Sequence, residues 1–95
     1  MNIKKLATTC LILCVAASAL AQDDRFASVT IETVPVTGNI SMLIGSGGNI
    51  GVSTGSDGLL IIDDQYGPLA AKIRAALSQL RSDTPKFLLN THFHG

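Results

Sequence analysis

The sequence predicts an α/β fold in which a β-meander leads into a βαβ unit, and three observations carry that prediction. Short runs rich in β-branched residues recur between residues 28 and 62, separated by glycine-rich turns. One amphipathic stripe, Leu69, Ile73, Leu77 and Leu80, follows at helical spacing. A last apolar run, Phe87-Leu88-Leu89, comes after the helix and leads into Asn90-Thr91-His92-Phe93-His94-Gly95.

Taken in order, Ser28 to Val34 alternates and reads as a strand ending near Pro35. Asn39 to Ile44 and Asn49 to Ser53 are the next two strands, joined by Gly45-Ser46-Gly47-Gly48, a hairpin turn that needs positive φ. A nucleotide-phosphate loop is excluded for these glycines. Ile50 stands where a dinucleotide fingerprint requires its third glycine, and a strand follows instead of a helix N-terminus.

The turn Thr54 to Gly58 leads into the strand Leu59 to Ile62. Gly67-Pro68 opens the helix, with Pro68 at the first helical position, and the helix is expected to stop near Ser82 with Pro85 just beyond. Its stripe is core packing, with Lys72, Arg74 and Arg81 facing water or lying at its edge. Lys86 to Leu89 then forms a buried-type strand parallel to Leu59–Ile62 through a right-handed crossover. Both strands would end at the same sheet edge. Ligand sites in open α/β sheets gather at such carboxyl ends, so topology alone brings Asp63 toward His92 and His94.

The two histidines share a face only on extended backbone, because strand side chains alternate with period two, whereas a helix would turn them roughly 200° apart. Neutral imidazole is the commonest protein ligand for zinc and suits other divalent metals. A bare H-x-H is a weak signal. Its context is more specific. A strand ending in Asp63, a helix, and a second strand running into Thr91-His92-Phe93-His94 resembles the metallo-β-lactamase-fold hydrolases, whose motif is T-H-x-H-x-D-H. The resemblance covers most of residues 26 to 95. The Asp-His pair that would follow is absent, because the chain ends at Gly95.

That resemblance implies a four-layer αββα sandwich, of which residues 22–95 would be the N-terminal portion, truncated inside the motif. It makes His92 and His94 ligands of a first metal and Asp63 a carboxylate that steadies the loop carrying them. It implies one or two zinc ions in the complete domain and hydrolysis of a lactam, ester or thioester bond in a small-molecule substrate. The 95-residue chain itself is expected to be inactive, since it holds only part of the ligand set.

At the N-terminus, Lys4 and Lys5 precede an apolar run from Leu6 to Ala17, and Ala19-Leu20-Ala21 offers small residues at the cleavage positions. This predicts a secretory signal peptide over residues 1–21 and an exported, periplasmic or secreted product with no stable membrane anchor after cleavage. The apolar stretch is shorter than the ~20 residues a bilayer span requires. Cys10 and Cys14 both lie within it, so the mature segment has no thiolate ligand, disulfide or cysteine nucleophile.

Residues 22–95 carry five cationic and seven acidic side chains, a net charge of −2 with histidines neutral. No basic cluster is present, and nucleic acid is not indicated as a partner. The competing expectation is a non-catalytic exported β-rich interaction module, or the product of a degraded gene, with its terminal histidines in solvent.

Overall fold

The structure, a computed structural model, describes residues 25–93. The expected signal peptide, both cysteines and His94 lie outside the described residues. Within them the chain is mixed α/β. Five strands form one sheet in sequence order: β1 (Glu32–Thr37), β2 (Ile40–Ile44), β3 (Asn49–Ser53), β4 (Leu59–Ile62) and β5 (Pro85–Leu89). β1 to β4 pair antiparallel as a meander, and β5 joins β4 in parallel. A 3-10 turn, Gly67–Leu69, and helix α1, Ala70–Leu80, make the crossover between β4 and β5.

Side-chain alternation sorts the apolar residues onto two faces. Leu43, Ile50, Val52, Leu59 and Ile61 point to the helix side and are buried against Leu69, Ile73 and Leu77. Phe26, in the helical turn at residues 25–27, completes that core. The register puts Leu60 beside Phe87 and Ile62 beside Leu89 on the opposite face. That face is open. Ile62 is 39% exposed, Phe87 45% and Leu89 56%.

Several expectations need correction. The first strand begins at Glu32 rather than Ser28, because residues 25–27 are helical and Val29 N–H donates to the Phe26 carbonyl, 3.1 Å, to close the turn. It also runs through Pro35 instead of stopping there. β1 is an edge strand with a register shift between Pro35 and Thr37, and an edge tolerates a missing donor. The helix ends at Leu80, with Arg81 already extended. Pro85 is the first residue of β5 rather than a stop beyond the helix.

The buried character expected of Phe87-Leu88-Leu89 is overturned as well. Every residue of β5 is exposed, since among the described residues β5 lies at the sheet edge with no strand on its outer side and no layer on the open face.

Lys72 and Arg81, expected to face water or lie at the edge of the apolar stripe, hold loops in place. Lys72 Nζ donates to the carbonyl oxygens of Phe26 at 3.0 Å, Ala27 at 2.9 Å and Val29 at 2.5 Å. An ammonium has three donors, and here each meets a carbonyl where the helical turn ends. Arg81 Nη1 donates to the Gly55 carbonyl, 2.6 Å, fixing the β3–β4 turn against the end of α1.

Truncating a fully buried core residue leaves a cavity, whereas the open face has little to lose. Leu59→Ala, at 0% exposure, is therefore expected to cost about 2–5 kcal/mol in urea denaturation. Leu89→Ser, at 56% exposure, is expected to cost under about 1 kcal/mol.

Candidate metal centre

The parallel pairing of β4 and β5 delivers Asp63 and Asn90–His92 to one sheet edge. Asp63 N–H donates to the Leu89 carbonyl, 2.8 Å, extending the ladder one step past Ile62. There the backbone turns. Asp63 has φ +66° and Gln65 φ +58°, and aspartate is among the few residues that accept the left-handed region with modest strain.

The turn aims the Asp63 carboxylate at Thr91. Its Oδ1 accepts from Thr91 N–H at 2.8 Å, and its Oδ1 and Oδ2 lie 3.0 and 2.9 Å from Thr91 Oγ1. The same hydroxyl oxygen lies 2.7 Å from His92 Nδ1, and His92 Nδ1 lies 4.0 Å from Asp63 Oδ1. With Asp63 ionised and His92 neutral, one proton arrangement satisfies these contacts together. A threonine hydroxyl has one hydrogen, and an ionised carboxylate can only accept, so that hydrogen goes to Asp63. Toward His92 the hydroxyl can then only accept, which requires the hydrogen on Nδ1. Neutral His92 therefore carries its lone pair on Nε2.

An Nε2 lone pair on a ring held by a hydroxyl–carboxylate chain is the donor arrangement expected of a metal-ligating histidine. His92 is 59% exposed at its side chain and Asp63 24%, so the ring is accessible while the carboxylate behind it is sheltered. Among the described residues no group of three or more His, Cys, Asp or Glu side chains gathers at one point. Those residues supply one imidazole. His94, the other histidine ligand expected, lies outside them.

A cavity of about 140 Å³ opens beside His92. Its walls are Ser46–Gly48 of the β2–β3 loop with Asn49 at the start of β3, Asp63–Tyr66, and Asn90. Asp64 is exposed at its rim, as its position after a strand end predicts. Sequence reasoning singled out Asp63 and His92 but passed over Thr91, which joins them, and Gln65, which touches the glycine loop. The signal for Thr91 was its place immediately before the histidine, in a motif matched for its histidines alone. No helix among the described residues is long and apolar enough to cross a membrane.

Asp63 combines a left-handed backbone with a charged carboxylate that accepts hydrogen bonds from Thr91, and the two contributions are separable. Asp63→Asn tolerates the left-handed backbone and is expected to lose about 1 kcal/mol. Asp63→Ala is expected to lose about 2–4 kcal/mol in the same urea titration, because both terms go. No protein-family model matches the chain, and no match is found among curated proteins.

Proposed function

We propose that this chain is the N-terminal portion of an exported zinc-dependent hydrolase of metallo-β-lactamase fold, acting on a lactam, ester or thioester bond of a small molecule. The observation that carries the proposal is the Asp63–Thr91–His92 hydrogen-bond chain, which fixes the His92 ring at the carboxyl edge shared by β4 and β5. His92 and His94 are the ligands this chain contributes, and Asp63 orients His92 through Thr91. A zinc ion held there supplies Lewis acidity and lowers the pKa of water to ~7. The same ligand types accept other divalent metals.

The fold favours this assignment in two respects. A meander followed by a parallel βαβ unit, with the site at the shared carboxyl edge, is the order the resemblance implies. The apolar face bearing Leu60, Ile62, Phe87 and Leu89 is where the second sheet of a four-layer sandwich would pack. A small substrate suits the cavity, whose volume of about 140 Å³ admits a reacting group rather than a whole large ligand.

A second assignment rests on the same uncovered face. Exposed Ile62, Phe87 and Leu89 suit a non-catalytic interaction module, for which His92 and His94 would carry no metal.

The two are separated with the full chain expressed from its uninterrupted reading frame. Metal analysis after equilibrium dialysis is expected to find zinc bound, with affinity falling about 100-fold or more in His92→Ala. Hydrolysis of p-nitrophenyl acetate, a chromogenic cephalosporin or an acetyl thioester is expected to disappear with chelator and return with zinc. A full chain that binds no divalent ion contradicts the hydrolase and leaves the interaction module.

A further inference from the structure

The cavity beside His92 has a movable wall, and one side chain ties it down. The β2–β3 connection, Gly45-Ser46-Gly47-Gly48, would be free to swing on its glycines, with φ of +77° at Gly47 and +153° at Gly48. Gln65 reaches across from the turn after β4 and meets it twice. Its Oε1 accepts from Ser46 N–H at 3.2 Å, and its Nε2 donates to the Gly48 carbonyl at 2.5 Å.

A primary amide is the side chain that can do this. It presents a donor and an acceptor side by side, as a neighbouring strand would. Glutamate would lose the donor, and asparagine is one methylene shorter.

The glycines of the loop answer to that tether. A Cβ at Gly45 would fall 2.5 Å from Gln65 Oε1 and 2.8 Å from Ile31 Cδ1, so Gly45 is needed for close approach and not for its backbone angle. A Cβ at Gly47 would fall 3.0 Å from Tyr66 Cε2, so the loop also lies against the Tyr66 ring. Tyr66 is backed in turn by Phe26, with ring centroids 5.2 Å apart. Loop, amide and ring form one layered wall from the core out to the cavity.

We infer that Gln65 is a positioning residue that holds Ser46–Asn49 as the substrate-facing wall of the His92 cavity; this rests on the hydrolase assignment above. The two hydrogen bonds of Gln65 described above go to the loop, not to Asp63, Thr91 or His92. Its effect is on where the substrate lies. Removing the tether leaves the metal ligands in place and makes the bound substrate's surroundings looser, which raises KM more than it lowers kcat.

The test compares the wild-type full chain with Gln65→Ala, Gln65→Glu and Gly45→Ala, using p-nitrophenyl acetate as substrate probe and amide hydrogen exchange as the structural readout. In Gln65→Ala, exchange at Ser46 N–H is expected to accelerate about tenfold while Thr91 N–H is unchanged, and KM is expected to rise about fivefold with kcat within about twofold. Zinc content is expected to stay at the wild-type value. Gly45→Ala, which pushes the amide away with Gln65 still present, is expected to reproduce the Ser46 and KM changes, and Gln65→Glu to fall between it and wild type.

Unchanged exchange at Ser46 overturns the tether. Faster exchange with unchanged KM, or a fall in kcat without a rise in KM, overturns the loop's role as a substrate wall. A wild-type chain that takes up no zinc overturns the hydrolase assignment and the wall's substrate role together, while exchange at Ser46 still decides the tether separately.

Discussion

The parallel pairing of β4 with β5 is the constraint on which the rest of the site depends. It places the residue after β4 beside the residues after β5, 28 positions on in the chain between Asp63 and Thr91. Only then can one carboxylate accept from both the backbone and the hydroxyl of Thr91. The hydroxyl, its single hydrogen committed to the carboxylate, becomes an acceptor for His92. Sheet topology thus reaches the orientation and tautomer of one imidazole through two side chains, Asp63 and Thr91.

The packing that supports this edge is one-sided. The 3-10 turn and helix α1 cover one face of the sheet with Leu69, Ile73 and Leu77, and the connecting loops are held by donors on long flexible stems, Lys72 and Arg81. The opposite face and all of β5 remain exposed. A strand that carries a site yet has no layer over it gains its order from its single neighbour, β4. The hydrogen bond from Asp63 N–H to Leu89, and those from Thr91 to the Asp63 carboxylate, therefore do double duty, ordering the strand end as well as the histidine.

Much of the fold was legible because its signals are local. β3 and β4 begin and end where the apolar runs do, and the stripe Leu69, Ile73, Leu77 is buried as its spacing predicts. The failures arise where a distant contact decides. The alternation of Ser28 to Ile31 suits a strand, yet Lys72 binds the carbonyls of Phe26, Ala27 and Val29 and Phe26 enters the core, so a helical turn precedes β1. Phe87 to Leu89 are apolar enough for an interior, and composition cannot say whether a covering layer is present. At the site, Asp63 and His92 could be brought together from topology. Thr91 could not be weighed without knowing that its hydroxyl faces both, nor Gln65 without the hairpin folding back over it.

The most direct test of the central claim is the tautomer of His92, read from imidazole nitrogen chemical shifts in long-range proton–nitrogen NMR spectra of the metal-free protein at a pH where the ring is neutral. The Asp63–Thr91–His92 chain predicts hydrogen on Nδ1 and an unprotonated, acceptor-type Nε2, with the preference lost in Thr91→Val. A wild-type spectrum showing hydrogen on Nε2, or the same tautomer balance with and without the Thr91 hydroxyl, would contradict it.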